Sequence, residues 1–293
     1  MSVTLRSTLV GASALLLWST LAVLTGWAGP TPPFLLVGIA FLLAFAMGAL
    51  RSLLRGESVL GPLRQPWRVW ALGVGGLFGY HASMFFALQN APPVEANLIN
   101  YLWPLLIVLF SGFLPGHRLR AFHVGGAALG LLGVVILLSG KGAAPQATAF
   151  WGYGAAFLAA FIWASYSVLS RLFAAVPSEA VGGFCLVGSL LAFLCHAAFE
   201  PSVWPSGAGQ WAAVVVLGLG PAGGAFFLWD VGMKKGDIQI LGVLSYTTAL
   251  VSTLLLIVFG EAQASGSIAM ACGLIVGGAV LASKELLGRA ARA

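Results

Sequence analysis

Charge is what this chain is short of. Only 8% of its 293 residues are Asp, Glu, Lys or Arg, against 60% hydrophobic, and the mean hydropathy is +0.99. A soluble domain carries about 25% charged residues, so the composition excludes a soluble fold and predicts a polytopic membrane protein. The alternating segments of about ten residues that build a membrane β-barrel are missing as well. The apolar runs are long and continuous, which leaves an all-α class. Acids are scarcer than bases, 8 against 14, giving a net charge of +6. That excess does not point to nucleic acid, because the basic residues lie between apolar runs, where orientation determinants belong.

Other absences narrow the function. Cys185, Cys195 and Cys272 all sit inside apolar runs, with no Cys-x-x-Cys pair and no His at ligand spacing. They read as small packing residues, and neither a metal nor a cofactor is expected. The spans hold no Asp-rich metal motif, no His-Glu-x-x-His and no Ser/His/Asp set, which weighs against a membrane-embedded enzyme. No Lys lies within a span, which argues against a retinal-type photoreceptor. No midplane carboxylate is expected either. Glu95 opens the fourth span, where a carboxylate is favourable against the helix dipole. Asp230 lies near the cytoplasmic end of the eighth, with Lys234 one turn on as an i, i+4 partner. The first run, after Arg6, lacks a small-x-small cleavage site and has a counterpart later in the chain, so it is read as a span and not as a signal peptide.

What is present is ten apolar runs of about the 20 residues that a membrane helix needs. They cover 8–27, 34–54, 69–89, 94–114, 121–139, 150–172, 178–199, 210–232, 238–259 and 267–286. Pro-Gly punctuation separates them, and Gly140 to Gln146 divides the chain near its middle. With ten spans, 13 of the 14 basic residues fall at the termini or in even-numbered loops, and only Lys141 falls on the other side. Positive residues favour the cytoplasm, so both termini are predicted to be cytoplasmic.

The halves repeat. A shift of 145 lays Trp18 on Trp163, and a shift of 144 lays Asn97 through Leu106 on Leu241 through Leu250, Gly116 on Gly260 and Ser139 on Ser283. Two units are therefore expected, 1–145 and 146–293. Each holds five spans, an odd number, so the units must cross the bilayer in opposite senses, as inverted-repeat secondary transporters do.

The stretch from Phe78 to Pro104 concentrates the polar, aromatic and helix-breaking residues. Phe78, His81 and Phe85 form one stripe on the outgoing helix beside Tyr80. On the return helix, taken as continuous, Asn97, Asn100, Tyr101, Trp103 and Pro104 share an arc of roughly 160°. Polar groups in hydrocarbon are costly and turn to a bundle interior or a wet cavity, though Ser, Asn and His also glue helices together. Trp18 and Trp163 lie at mid-depth, away from the interfacial belt that Trp prefers. They offer flat walls for an aromatic ring, a cation–π face or bulky packing. Tyr166 and Ser170 extend the Trp163 stripe. Two readings of His81 stand: a proton relay, or a neutral hydrogen-bonding ring. Asn97, Asn100, Ser245, Thr247, Thr248 and Ser252 are neutral groups for which a zwitterion could exchange water. Pro104 and Gly220-Pro221 are expected to kink their helices. Glycine pairs Gly75–Gly79, Gly126–Gly130 and Gly273–Gly277 are expected to let helices approach closely.

With the duplicated five-span unit, the Leu17-Trp18-Ser19 opening and the Asn100–Pro104 segment followed by Gly116, the chain resembles the drug/metabolite transporter superfamily, and within it the EamA-type ten-span exporters. Tyr80-His81, Tyr101-x-Trp103-Pro104 and Trp163 make it similar to that family's bacterial aromatic amino acid exporters. The resemblance implies alternating-access export of Phe, Tyr and Trp across the inner membrane, with Trp18, Tyr80, His81, Asn97, Asn100, Tyr101, Trp103, Trp163, Tyr166 and Ser245 at the substrate. It implies a small-molecule substrate, a lipid bilayer around the protein and no nucleic acid; a monomer suffices. Export of other amino acids, or of flat cations such as viologens, is the rival reading. One departure is visible: the family's repeat often ends in Gly-Glu, found here as Gly260-Glu261 but as Gly116-His117 in the first half.

Overall fold

The computed structural model describes residues 2–116, 118–139, 149–260, 263 and 265–282. His117, Gly140 to Gln146 with Lys141, Glu261, Ser283, Lys284, Arg289 and Arg292 lie outside the described residues. Among the described residues all regular structure is helical: α1 (Val3–Ser19), α2 (Leu21–Trp27), α3 (Pro33–Leu54), α4 (Trp67–Asn90), α5 (Pro93–Asn100), α6 (Trp103–Ser111), α7 (Ala121–Ser139), α8 (Phe150–Leu169), α9 (Ala180–Phe199), α10 (Ala208–Leu219), α11 (Gly224–Lys235), α12 (Ile238–Leu244), α13 (Thr247–Val258) and α14 (Gly266–Ala282). Seven helical runs are long and apolar enough to cross a bilayer, and Glu95–Ser111, Ala121–Ile136 and Gly266–Ala282 are shorter apolar helices. These ten runs lie where the ten apolar stretches of the sequence lie.

The outer surface is oily. Leu9, Leu16, Leu190, Leu194 and Val216 each leave more than half of their area uncovered. In water such a surface would be an aggregation hazard; around a membrane bundle it meets acyl chains. The tryptophans divide by depth. Trp27, Trp67, Trp151, Trp204 and Trp211 are exposed and sit at helix ends or in a loop, as an interfacial belt requires. Trp18, Trp103, Trp163 and Trp229 are buried.

Four of the ten runs are broken, at Thr20, at Tyr101–Leu102, at Gly220–Gly223 and at Ser245–Tyr246. Three of these breaks have a local cause. Pro104 has no N–H for the carbonyl of Asn100, and its ring crowds that carbonyl. The chain turns there, with the Leu102 amide donating to Ile99 O at 3.0 Å, three residues back. The return helix is therefore not continuous, and the single arc expected from Asn97 to Pro104 is split between two directions. At Thr20 the hydroxyls act: Ser19 Oγ donates to Leu15 O at 2.8 Å and Thr20 Oγ1 to Leu17 O at 2.7 Å, and such back-bonding bends helices. Ser245 Oγ on Leu241 O and Thr247 Oγ1 on Leu244 O do the same at the fourth break. There the Tyr246 amide donates to Val243 O at 3.2 Å, which is the Leu102–Ile99 bond moved on by 144 residues. Gly116 and Gly260 keep the same register with φ of 76° and 78°, left-handed values that favour glycine.

The most extensive packing joins the two parts of the chain to each other. α1 lies on α11, α3 on α9, α4 on α8 and α7 on α14. Small residues set these crossings. A Cβ at Gly11 would meet Gly232 Cα at 2.8 Å, and one at Gly126 would meet Gly278 O at 2.5 Å. Of the three expected glycine pairs only Gly126–Gly130 is closely packed, Gly130 lying against the Tyr246 ring. Gly75, Gly273 and Gly277 face open space, and Gly79 has only ordinary contact with Ile162. The close approaches on α4 are at Gly73, against Phe184, and Gly76, against Tyr166. Spacing finds a small face but not which side of the helix meets a neighbour.

Candidate functional site

The four buried tryptophans meet at the centre of the bundle, and each touches the other three. Trp18 lies 6.5 Å from Trp103, 5.4 Å from Trp163 and 5.1 Å from Trp229, centroid to centroid. Trp103 is 6.4 Å from Trp163 and 6.0 Å from Trp229, both edge-on. Trp163 and Trp229 are stacked at 6.3 Å with 20° between planes. Offset-stacked and edge-to-face pairs are the favoured aromatic geometries. The helices supplying the rings are α1, α6, α8 and α11. Trp18 precedes the break at Thr20 by two residues, and Trp103 follows the break at Leu102 directly. Two of the indoles therefore sit beside points where the helix changes direction.

A second tier of rings extends from the four. Tyr80 is 5.4 Å from Trp163, and Tyr166 is 5.5 Å from it on the same helix. Phe226 touches Trp18 at 6.1 Å and Trp163 at 5.9 Å. His81 stands edge-on to Phe41 at 5.2 Å and to Tyr80 at 5.1 Å, and its Nδ1 is 2.8 Å from Leu77 O on its own helix. Phe85 and Phe34 continue the wall beyond His81. A flat apolar guest that separated these rings would find faces and edges on every side.

Polar contacts in this region are few. The Trp229 indole N–H donates to Ser167 Oγ at 3.0 Å, and Asn100 Nδ2 donates to the Tyr80 hydroxyl at 3.3 Å. Asn100 Oδ1 and the Tyr166 hydroxyl are buried and have no hydrogen-bond partner. Buried polar atoms are nearly always paired, so both are available to a ligand. Among the described residues no group of three His, Cys, Asp or Glu is placed to hold a metal ion.

The structure brings Trp18, Tyr80, His81, Trp103, Trp163 and Tyr166 into one cluster, with Asn100 joined through Tyr80. It separates three of the expected residues from them. Asn97 Nδ2 bonds Pro93 O on its own helix. Tyr101 packs against a second cluster of buried residues that includes Val108, Val243 and Tyr246. Ser245 is fully buried and bonds Leu241 O. Three rings of the cluster were not expected from the sequence: Trp229, Phe226 and Phe41. Phe226 and Trp229 carry i, i+3 spacing with Met233 a turn beyond, a buried stripe, and that spacing is the signal that would have found them.

The chain matches known proteins over most of its length. The model of the EamA-like transporter family matches residues 5–139 and 150–284. The chain is 57% identical over 281 residues to the aromatic amino acid exporter YddG of Ancylobacter novellus, covering 94% of this chain and 96% of that one. It is 26% identical to the YddG of Escherichia coli, over 94% and 96% of the two chains. A crystal structure of a protein 56% identical superimposes with a TM-score of 0.92 over 96% of this chain and 98% of that one.

Proposed function

The chain belongs to the EamA-like transporter family, and from that premise we propose that it exports aromatic amino acids from the bacterial cytoplasm by alternating access. The observation that carries the reading is the set of four mutually touching indoles, two from residues 5–139 and two from residues 150–284. An aromatic side chain entering among them exchanges indole–indole contacts for indole–substrate contacts of the same kind, worth about 0.5–1.5 kcal/mol each beyond area burial. The exchange is near to even, as a carrier that must also release its cargo requires.

The architecture proposed for this work is a pair of inverted five-helix units, 1–145 and 146–293, giving ten spans in an inner membrane with both termini in the cytoplasm. Its supports are the shared offset of 144 in the breaks at Leu102 and Tyr246 and in the turns at Gly116 and Gly260, the odd number of runs in each unit, and the distribution of basic residues. One chain supplies both units, so the monomer is the working form. Trp18, Tyr80, His81, Asn100, Trp103, Trp163 and Tyr166 form the proposed substrate contacts. A flat dication fits less well, because the Asp230 carboxylate is already matched by Lys234 Nζ at 2.8 Å.

The deciding experiment is uptake of radiolabelled tryptophan by the purified protein in liposomes, with and without a pH gradient. Protein-dependent flux of Phe, Tyr and Trp is expected. Flux of no amino acid at all defeats the reading, and flux indifferent to the gradient removes His81 from proton coupling.

A further inference from the structure

Beside the indoles the structure keeps charge where a membrane bundle seldom does. Asp230 follows Trp229 on α11 and is 2% exposed, and Lys234, one turn on, is 7% exposed. Asp230 Oδ2 accepts from Lys234 Nζ at 2.8 Å and from Ser178 Oγ at 2.6 Å, and Lys234 Nζ also donates to Val176 O at 3.0 Å. The sequence read this as an ordinary i, i+4 pair, which would be exposed and weak; instead it is inside the protein. Burying two charges is costly even when they are paired, and apolar residues of the same volume are often as stable or more so. Stability alone therefore does not account for the pair.

Next to it lies a cavity of about 20 Å³ whose lining includes Tyr166, Ser170, Asp230, Lys234, Gly73 and Phe184. With the Asp230–Lys234 pair closed that volume admits one water-sized group, so a larger head group enters only as the pair parts. The Tyr166 hydroxyl, on a side chain 3% exposed, has no hydrogen-bond partner, while its ring lies 5.5 Å from Trp163. Tyr166 thus touches the indole cluster and borders the cavity. Asp230 and Trp229 are adjacent on α11, so the same two helices that hold stacked indoles also hold the polar lining.

We propose that this cavity is the subsite for the charged head of a zwitterionic substrate: Asp230 takes the α-ammonium, Lys234 the α-carboxylate, and the Tyr166 hydroxyl a further hydrogen bond, with the aromatic side chain among the indoles. The proposal rests on the reading of the chain as an aromatic amino acid exporter. A zwitterion carries its two charges on neighbouring groups, and the buried pair presents their complement. Entry replaces one ion pair by two, and no charge is left unmatched. A ligand with one charge cannot do this, since it leaves either Asp230 or Lys234 buried without its counterpart. Entry also competes with Ser178 and the Val176 carbonyl, both in the segment joining α8 to α9, so occupation loosens that segment from α11.

The test uses the full chain in phosphatidylethanolamine–phosphatidylglycerol liposomes, with uptake of radiolabelled L-tryptophan competed by tryptamine and by indole-3-propionate. In the wild type each competitor is expected to be about tenfold weaker than tryptophan or worse, a step of about 1.4 kcal/mol. The neutral double variant Asp230→Asn/Lys234→Met is expected to raise the KM for tryptophan about tenfold and to bring the three compounds within about threefold of one another. The reversed variant Asp230→Lys/Lys234→Asp keeps an ion pair but exchanges its ends, and is expected to lose tryptophan affinity as well. Thermal unfolding and size exclusion establish that the variants are folded. Wild-type KM and wild-type ranking in either folded variant make the pair purely structural and overturn the proposal while export stands. If neither variant folds, the wild-type ranking decides, and tryptamine or indole-3-propionate competing as well as tryptophan overturns it. No tryptophan flux in the wild type removes the export reading and this proposal together.

Discussion

The indole of Trp229 donates its N–H to Ser167 Oγ at 3.0 Å, from α11 to α8, with both residues buried. This bond fixes the plane that stacks against Trp163. Ser167→Ala leaves a buried N–H without an acceptor, which costs about 1–3 kcal/mol. The thermal midpoint in detergent is expected to fall accordingly. Trp229→Phe removes the donor, so Ser167→Ala added to it costs little, and the double-mutant cycle reports the coupling.

Trp163 has more ring partners than Trp18 or Trp103: Trp18, Tyr80, Trp103, Tyr166, Phe226 and Trp229. Trp163→Phe keeps a ring but shortens its reach. One lost aromatic contact of about 0.5–1.5 kcal/mol corresponds to a KM for tryptophan raised roughly 2- to 13-fold, read from liposome uptake. Tyr101→Phe, in the second cluster, is expected to leave that KM unchanged. Equal effects of the two substitutions count against the indole cluster as the binding place.

Gly126 and Gly278 hold α7 against α14, each facing the other's carbonyl oxygen at 2.5 Å from where a Cβ would stand. Gly126→Ala must push those helices apart, an overpacking cost of about 1–3 kcal/mol. Gly277→Ala, one residue from Gly278 but facing open space, is the matched control and is expected to be neutral or slightly stabilising, since alanine is the better helix former. Thermal unfolding of the two variants side by side checks both directions.

Glu200, just past α9, reaches the start of α3. Its carboxylate accepts the Phe34 amide at 2.8 Å and the Leu35 amide at 3.2 Å, and His196 Nδ1 lies 2.9 Å from it. A carboxylate at a helix N-terminus satisfies amides that have no partner within the helix. Glu200→Ala is expected to destabilise by about 1–2 kcal/mol, with Glu200→Gln losing less. A thermal midpoint of the alanine variant equal to that of the wild type would contradict that role.

The helices were legible in the sequence because hydrocarbon demands long apolar runs and tolerates little else. The central site was legible in part. Trp18 and Trp163 stood out as tryptophans far from any run end, and Trp103 through the arc it was expected to share with Asn97, Asn100 and Pro104. Trp229 did not, because it sits next to Asp230 and one turn from Lys234, where an interfacial ring is the ordinary reading; burial of that charge pair is a tertiary fact with no trace in spacing. Tyr101 and Trp103 looked like shoulders of one arc only while the helix was taken as whole. Pro104 marked that break in the sequence, whereas the hydroxyl pairs Ser19-Thr20 and Ser245…Thr247 marked theirs just as plainly but in a weaker idiom, since Ser and Thr inside membrane helices are common without bending them.

Each of the crossings α1–α11, α3–α9, α4–α8 and α7–α14 takes one helix from each half of the chain. Two parts stitched together along four seams cannot swing apart like the leaves of a door. Motion that keeps these seams closed would come from half-helices flexing at Thr20, Leu102, Gly220–Gly223 and Tyr246. Stiffening the joint at Tyr246, which adjoins none of the proposed substrate contacts, would therefore slow turnover without touching the cargo's own binding surface.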